Sequence, residues 1–339
     1  MSHRDRALPL IVLLLLLAVA ALLGGLYLAS RLVSSPYKGF SGSYVFVDIP
    51  RGTSVPEIGR ILHRAGVVSH PRLFAWYVRL FYPASSMKAG EYRFDRASSM
   101  RDVAGKLFRG EVYVIKVTVP EGFSRTDIID VLIKNGIGTR QELMAATRDT
   151  SAIAGLDSRA SDLEGYLFPD TYFFSRRVSE KEVLDRMVSR FLQIWNAERQ
   201  RKARELSMTP REVVTLASLI EKETALPAER QLISAVFHNR LKKNIALGSD
   251  PTVIYSVKLL KDYDGVINQS DLKLDSPYNT YIYYGLPPGP IANPGLASID
   301  AALEPAKVDY LYFVSRNDGS HLFTENYQDH LRGVRQYQR

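Results

Sequence analysis

The stretch that decides the fold of this chain is Thr209–Arg230, TPREVVTLASLIEKETALPAER. It begins with the capping-box spacing of Thr209 and Glu212, and Pro210 suits the first helical position. Apolar residues then recur at the spacing of one helix face: Val213, Leu216, Ala217 and Ile220. The pattern predicts an amphipathic helix that packs one stripe against a core.

Two carboxylates, Glu221 and Glu223, stand where this apolar stripe ends. Both flank the stripe, but Glu223 lies three residues after Ile220 and seven after Leu216, beside the bulkier side chains. A carboxyl group against apolar surface is desolvated, which raises its pKa and lets it hold a proton near neutral pH. The alternative is a solvated helix end, the commoner role of such residues. Periodicity favours Glu223 over Glu221 as a proton donor without deciding between the two roles.

The composition is that of a folded protein, with 46% hydrophobic and 24% charged residues in a chain of 339. This length suffices for two domains. Cysteine is absent from the sequence, which excludes disulfides, thiolate nucleophiles and cysteine metal sites. The net charge of +8 suggests anionic surroundings such as phospholipid headgroups, an acidic glycopolymer or nucleic acid.

The N-terminus carries a membrane signal. Leu10–Ala29, LIVLLLLLAVAALLGGLYLA, is an uncharged run long enough to span a bilayer. Arg4 and Arg6 precede it, so the positive-inside rule predicts a single-pass anchor of the cell (inner) membrane with a cytoplasmic N-terminus. A cleaved signal peptide ending near Ser30 is the alternative, although the run exceeds the usual length of its apolar region. In both cases the remaining chain works beyond the cytoplasm, which argues against a nucleic-acid partner.

Strand-then-helix units follow the anchor and a short polar linker. Tyr44–Ile49 alternates as a strand does and precedes a helical pattern, and Val112–Val119 begins a second such unit. Ala89–Phe94, followed by the capping serines Ser98 and Ser99, gives a third. Such units suit either a module that binds an extended polymer or a scaffold without a ligand of its own.

Loop segments in the second half supply polar candidates. The aromatic run Leu163–Tyr172 carries Glu164 and Asp170 and is typical of a cleft wall or of aromatic core packing. In the helix after the opening stretch, Asn239 and Arg240 are candidates for a cleft rim. 

A rigid loop rich in proline and glycine, Gly285–Gly295, follows the segment Ser276–Tyr281. Tyr278 and Asn279 beside it offer stacking faces and amide hydrogen bonds that suit sugar rings and N-acetyl groups. The alternative is a structural loop that crosses the core. A closing hairpin is predicted around residues 317–319.

The motifs, taken in order, resemble those of a known family. They are the N-terminal anchor, LEGYLFPDTY, LASLIEKET, FHNRL, SDPTVIY, SPYNTY and GLPPGPIANPG. The series resembles the endolytic murein transglycosylase family, also called YceG-like or MltG, over nearly the whole chain. Several long motifs in a fixed order are far more specific than any single short pattern.

This resemblance implies a lytic transglycosylase, a carbon–oxygen lyase that cleaves the β-1,4 bond between N-acetylmuramic acid and N-acetylglucosamine in nascent peptidoglycan. The product would carry a 1,6-anhydro-muramoyl end, and the cut would release or terminate a growing strand. The family's catalytic glutamate lies in its E-K-E-T motif, so Glu223 is carried over as the general acid/base, with Glu221 as second choice. One carboxyl group suffices, because the sugar's own C6 hydroxyl attacks C1. The reaction needs no cofactor or metal.

Substrate binding is predicted for a further set of polar residues: Asp250, Tyr278, Asn279, Thr280, Glu164, Asp170 and Asn239. The implied partners are peptidoglycan glycan strands, the lipid bilayer, penicillin-binding proteins and other cell-wall synthases. The expected fold class is α+β, with a transmembrane helix, a LysM-like subdomain and a mixed α+β catalytic domain. The predicted boundaries are a cytoplasmic N-terminus at 1–9, a transmembrane helix at 10–30, a linker at 31–42, a LysM-like region at 43–138 and a catalytic domain at 139–339.

Two other functions are compatible with the residues. A non-catalytic peptidoglycan-binding scaffold would use the strand–helix units to recruit synthases. A hydrolysing muramidase would use Asp250 or Glu221 as a second carboxylate beside Glu223.

Overall fold

The architecture comes from a computed structural model, which describes residues 3–83, 87–224, 226–261 and 263–338. Met1 and Ser2, part of the predicted cytoplasmic segment, lie outside these ranges. The chain divides into two compact units, Met1–Val114 and Ile115–Arg339. The sequence analysis placed this boundary after residue 138. The two differ because the strand that opens the second unit pairs with a later strand of the same unit.

The first unit is a long helix followed by a strand–helix–helix–strand–helix module. Its elements are α1 (His3–Ser34), β1 (Val45–Ile49), α2 (Val55–Arg64), α3 (Pro71–Phe81), β2 (Gly90–Phe94) and α4 (Met100–Arg109). β1 and β2 are antiparallel, with Val47 opposite Tyr92, and the core of the unit includes Leu62 and Phe74. The predicted strands and helices of this region are confirmed, whereas its LysM-like character stays a prediction.

α1 contains the predicted transmembrane segment and continues beyond its predicted end. Val12–Ser34 is long and apolar enough to cross a membrane, with a mean hydropathy of 2.6, a criterion that a signal sequence also meets. Residues 31–42 were predicted as a linker, but the first of them form the last turn of α1, where Val33 is buried in the core of the first unit. Tyr37 then pairs with Ser98, so this segment belongs to the folded unit.

The second unit is mainly helical and carries two antiparallel ribbons. Its first elements are β3 (Ile115–Thr118), α5 (Arg125–Lys134), α6 (Arg140–Ala146), β4 (Thr171–Phe174), α7 (Glu180–Ile194) and α8 (Ala197–Glu205). Then come α9 (Pro210–Glu223), α10 (Arg230–Lys242), α11 (Asp250–Leu260), α12 (Leu296–Leu303), β5 (Tyr312–Ser315), β6 (His321–Thr324) and α13 (Tyr327–Tyr337). Short 3-10 helices lie at Ser151–Ile153, Pro227–Glu229 and Asp271–Lys273. β3 pairs with β4 and β5 with β6, so the predicted closing hairpin and the α+β class are confirmed.

α9 is the helix that was predicted from Thr209–Arg230, and it lies at the centre of the second unit. The predicted capping box is formed at its first turn. All eight residues from Val213 to Ile220 are buried, although the sequence predicted a single buried stripe. The reason is that α8, α10, α11 and α12 all contact α9, so its polar side chains are enclosed as well. Among them, Ser218 Oγ donates to the Thr215 carbonyl and accepts the Ile291 N–H.

Two glycines with left-handed backbone give a test of this packing. Gly165 has φ +86° and lies against Pro290 and Val214, so a Cβ there would overlap the proline ring; Gly136 has φ +76° and open space around it. Gly165→Ala is expected to lower the free energy of unfolding by about 2–5 kcal/mol through strain plus overlap, and Gly136→Ala by about 1–2 kcal/mol through strain alone. Thermal unfolding of the detergent-solubilised chain measures both. Equal losses would contradict the prediction.

Candidate active site

Glu223 lies at the end of α9 in a cleft of the second unit. The cleft has a volume of about 520 Å³, within the usual range of ligand sites. Residues of α10, α11, the β5–β6 hairpin and α13 complete its walls. Its main polar and aromatic side chains are those of Glu223, Arg240, Asp250, Tyr281, Tyr312, His321 and His330.

The carboxyl group of Glu223 holds its proton more tightly than an ordinary glutamate does. Burial is the main cause and raises the pKa of Glu223 to about 7, opposed by the hydrogen bond from Ser249; the charge of Asp250 adds a smaller upward effect. Ser249 Oγ donates to Glu223 Oε1 at 2.5 Å, and Oε2 accepts no hydrogen bond from any residue that the structure describes. A carboxyl group with one anchored oxygen, one free oxygen and a pKa near neutrality can act as a general acid.

A network of buried hydroxyl groups holds Ser249 in place. Its N–H donates to Thr280 Oγ1 at 3.0 Å, and its carbonyl accepts from Thr252 Oγ1 at 2.6 Å. The two threonine hydroxyls lie 2.9 Å apart. Thr280 was predicted to bind substrate, but it is buried and lies behind Ser249. Its place in the structure is therefore that of a residue positioning Ser249.

Arg240 brings a fixed positive charge into the cleft. Its Nε donates to the Leu311 carbonyl and its Nη1 to the Leu247 carbonyl, each at 2.6 Å. The guanidinium lies 5.1 Å from the centre of the Tyr312 ring. Among the described residues, no carboxylate forms an ion pair with Arg240, so backbone carbonyls and a ring face alone hold this cation. The sequence analysis had named it as a rim candidate together with Asn239.

Asp250 is the predicted substrate-binding residue that shares the cleft with Glu223. It is the first residue of α11, and it accepts a hydrogen bond from the Tyr281 hydroxyl at 2.6 Å. The side chain is exposed, so its charge is available to a ligand in the cleft. Asp250 and Tyr281 together form a polar edge beside Glu223.

Two histidines stand on the hairpin and α13 side of the cleft. Glu229 binds His321 with both oxygens, accepting the backbone N–H at 2.9 Å and lying 2.6 Å from Nδ1. The ring of His330 stacks on Tyr312 with centroids 5.2 Å apart, and burial lowers the pKa of His330. Within the described part of the chain, no cluster of three or more His, Asp or Glu is placed to hold a metal ion.

Glu221 has a different environment from Glu223. Its Oε2 accepts the Gly295 N–H at 2.9 Å, directly before α12, and its Oε1 lies 4.0 Å from Arg230 Nη2. Its side chain is only 7% exposed and does not line the cleft. Glu221 therefore joins the end of α9 to the start of α12. This separation of the two glutamates is what helical periodicity alone did not decide.

Glu164 and Tyr278 lie on another side of the second unit. Glu164 Oε1 accepts the Arg125 N–H at 2.8 Å and Asn293 Nδ2 at 3.0 Å, while Tyr255 donates to Oε2 at 3.2 Å. Burial raises the pKa of Glu164 to about 8. Tyr278 packs its ring 5.0 Å from that of Tyr255. The aromatic run and the proline-rich loop meet here, away from the residues that line the cleft.

The other three predicted binding residues also make contacts within the fold. Asp170 accepts a hydrogen bond from Arg190 Nε at 2.8 Å. Asn239 donates to two backbone carbonyls before β5, at 2.8 and 3.0 Å. Asn279 is fully buried and donates to two carbonyls at 3.1 and 2.9 Å. The hydrogen bonds of Asn239 and Asn279 hold loop backbone in place, and Asp170 forms a partly exposed ion pair with α7. Substrate binding by these three side chains stays a prediction.

Several cleft residues were missed by the sequence analysis. Ser249 and Tyr281 directly adjoin predicted residues in the SDPT and SPYNTY motifs, so the motifs did carry a signal for them. Tyr312, His321 and His330 come from the hairpin and the last helix, and only tertiary packing brings them to Glu223. No local pattern in the sequence indicates that arrangement.

Replacing each of Glu221 and Glu223 by glutamine should change the melting temperature in opposite directions at pH 8. Because the pKa of Glu223 rises from 4.5 to about 7 on folding, its contribution to stability is full below pH 4.5 and is lost as the pH rises through 7. Glu223→Gln should therefore raise the melting temperature above that of wild type at pH 8, with a smaller gain at pH 5. Glu221→Gln should lower it at pH 8, since a charged acceptor for Gly295 is lost. A pH-independent effect of Glu223→Gln would contradict the assignment.

The comparisons with known proteins agree with one another. A sequence model of the YceG-like family matches residues 47–336. The endolytic murein transglycosylase of Bacillus subtilis (strain 168) is 33% identical over 335 residues, covering 93% of this chain and 91% of that protein. The protein of the same name from Streptococcus pneumoniae (strain R6) is 31% identical, covering 96% of this chain and 64% of that protein. A crystal structure of a yceG-like protein from Listeria monocytogenes superposes with a TM-score of 0.59 at 31% identity, covering 86% of this chain and 99% of that one. The chain therefore belongs to the YceG-like family.

Proposed function

We propose that this protein is a membrane-anchored endolytic lytic transglycosylase that cuts nascent peptidoglycan strands, with Glu223 as its general acid and base. The observation that carries the proposal is a carboxyl group with a pKa of about 7 in a sugar-sized cleft. The endolytic murein transglycosylases that resemble this chain over more than nine-tenths of its length support the reaction class.

The proposed reaction breaks the β-1,4 bond between N-acetylmuramic acid and N-acetylglucosamine. Glu223 gives its proton to the glycosidic oxygen as the bond from C1 to that oxygen breaks. The C6 hydroxyl of the same muramoyl residue then forms a bond to C1, and its proton passes to the Glu223 carboxylate. The proton count closes, Glu223 is regenerated, and no water is consumed. The product is a 1,6-anhydro-muramoyl end, which terminates or releases the strand.

The neighbours of Glu223 have distinct parts in this proposal. Ser249 fixes Oε1 and leaves Oε2 to carry the transferred proton. Arg240 stabilises the carboxylate that forms after proton donation, because its positive charge lowers the pKa of Glu223. Asp250 offers a negative charge to the oxocarbenium-like centre, and Tyr281 keeps it in place through its hydroxyl. The rings of Tyr281 and Tyr312 provide faces for sugar packing.

The remaining chain is proposed to place this site at the nascent wall. α1 anchors the protein in the cell membrane, with the N-terminus in the cytoplasm and the second unit as the extracytoplasmic catalytic domain. The strand–helix–helix–strand part of the first unit serves as a LysM-like glycan-binding module. Penicillin-binding proteins and other cell-wall synthases are the expected partners, since they supply the growing strands.

A hydrolytic muramidase is the second candidate, because Asp250 is a second carboxylate in the same cleft. In that reaction Asp250 would act as base or nucleophile, and the product would end in a reducing sugar. We favour Asp250 over Glu221 for this part, since the oxygens of Glu221 face Gly295 and Arg230.

Product analysis on two matched variants tests the assignment of Glu223. Glu223→Gln should reduce the release of anhydro-ended fragments from purified peptidoglycan by about 10²–10⁴-fold, because the general acid is lost. Glu221→Gln, changed in the same way two residues earlier, should retain activity in proportion to its folded fraction. Mass spectrometry distinguishes anhydro ends from reducing ends of the released glycan fragments. Anhydro ends from Glu223→Gln would disprove the assignment, and wild-type products one water heavier would favour the muramidase.

The pH dependence of kcat/KM tests the hydrogen bond of Ser249. Because the protonated form of Glu223 starts the reaction, the rate should fall as the pH rises through about 7. Ser249→Ala removes a donor that stabilises the carboxylate, so it should raise the pKa and move this alkaline limb to higher pH. The control is Ser234→Ala, since Ser234 Oγ is buried without a hydrogen-bond partner in the described structure. An unmoved limb in Ser249→Ala would count against the proposed acid.

A further inference from the structure

Helix α3 exposes an apolar and basic stripe opposite its buried face. Arg72, Trp76, Arg79 and Leu80 follow the i, i+4, i+7, i+8 spacing of one helix side. Trp76 is 48% exposed and Leu80 59% exposed. The other side of α3 packs into the core of the first unit through residues such as Phe74. Core packing therefore does not account for the stripe.

A second group of exposed apolar rings lies at the C-terminal end of α3 and on α4. Phe81 is 61% exposed and Phe108 41% exposed. Tyr77 and Tyr82 connect these rings, with centroid distances of 4.8 Å from Tyr77 to Phe81, 6.2 Å from Tyr77 to Tyr82 and 5.1 Å from Tyr82 to Phe108. Large apolar side chains exposed side by side mark an interaction surface.

Two arginines of the stripe have no charged partner among the described residues. A surface concavity of about 460 Å³ beside Trp76 is lined by Arg60, Arg72 and Arg79. Arg60 is paired with Glu57 at 2.6 Å. Arg72 and Arg79 form no ion pair or side-chain hydrogen bond with the residues that the structure describes. Two unpaired guanidinium groups next to a tryptophan suit an anionic headgroup such as a lipid phosphate.

The membrane helix touches the same two helices. α1 contacts α3 and α4, and the residues of α1 that lose exposure near its end are Ala29, in part, and Val33. These residues lie about 6 Å apart along the helix. The uncharged run of α1 ends at Ala29, and Arg31 follows. α3 and α4 therefore meet α1 at the level where an embedded span would leave the hydrocarbon core.

We propose that this surface docks onto the phosphate headgroup region of the bilayer that holds α1. The surface comprises six residues: Arg72, Trp76, Arg79, Leu80, Phe81 and Phe108. Tryptophan and arginine on a helix beside a membrane span are typical of the interfacial layer, where the ring enters the acyl boundary and the cation meets phosphate. The inference rests on the membrane anchor within the proposed function. In this proposal the first unit is attached to the membrane at two places, by α1 and by the docked surface.

A glycan strand is the other ligand that exposed aromatic rings could bind. The bilayer is favoured because the two helices that carry the surface, α3 and α4, both contact α1. Its charges are also cationic, and no described residue pairs with Arg72 or Arg79. A glycan-binding role becomes one of the outcomes of the test.

Tryptophan fluorescence reads this surface directly, because the sequence has two tryptophans, Trp76 and Trp195. Trp195 is 3% exposed in the core of the second unit. The full chain with Trp195→Phe is reconstituted into vesicles of phosphatidylethanolamine and phosphatidylglycerol with brominated acyl chains. Trp76 emission should be quenched strongly by bromine near the headgroup and weakly by bromine near the chain end. Trp76→Phe, which keeps only Trp195, should show no quenching. If Trp195→Phe folds poorly, the emission of wild type minus that of Trp76→Phe gives the Trp76 signal instead.

A pair of matched double variants separates docking from general effects. Leu80→Glu with Phe81→Glu should relieve the quenching of Trp76. Leu259→Glu with Leu260→Glu, a pair of similar exposure in the second unit, should leave it unchanged. Flotation with the vesicles reports the anchor independently.

Each outcome of this test decides the inference. A chain that floats while Trp76 stays unquenched overturns docking and leaves the anchor standing. A chain that fails to float overturns both. A shift of Trp76 emission on adding soluble glycan strands to the detergent-solubilised chain, with no quenching in vesicles, assigns the surface to glycan instead. The lytic assay on Glu223 is independent of all three.

Discussion

The desolvation of one carboxyl group, that of Glu223, is the constraint on which the candidate site depends. α9 is buried on all sides over two turns, and its last residue, Glu223, lines the cleft. Burial raises the pKa of Glu223, and the hydrogen bond from Ser249 limits the rise, so that the pKa comes to about 7. A fully solvated glutamate would be ionised at neutral pH and could not donate. The packing of the second unit therefore sets the pKa of Glu223 on which the proposed chemistry depends.

Three buried or partly buried glutamates on or near α9 differ in more than their burial. Glu164 has a raised pKa as well, but backbone and side-chain donors occupy both of its oxygens away from the cleft. Glu221 accepts a backbone N–H at the start of α12. Glu223 combines a raised pKa with a place in the cleft wall and with an oxygen, Oε2, to which no described residue donates. The combination, and not the pKa, distinguishes it.

Local sequence rules predicted the elements well and the site only in part. The caps of α9, the strands of the first unit and the closing hairpin follow from residue spacing, because their signals are local. The burial of α9 on every side, and the pairing of β3 with β4, depend on segments distant in the chain. Polar residues in long motifs were interpreted as ligands, yet Asn279 and Thr280 are buried in loop-holding hydrogen bonds. Motif membership does not tell a binding side chain from a supporting one.

The way Arg240 is held completes the electrostatic argument. A guanidinium in direct ion pair with Glu223 would favour the carboxylate and lower its pKa, which would remove the acid. Arg240 instead donates hydrogen bonds from Nε and Nη1 to backbone carbonyls and packs on the Tyr312 ring. It thus keeps a cation close to Glu223 without ion-pairing to it. Such a charge disfavours the protonated state only modestly, and it is already in position when proton transfer creates the carboxylate. The loops before α11 and β5, which supply those carbonyls, are therefore part of the catalytic apparatus in this proposal, although none of their side chains needs to touch the substrate.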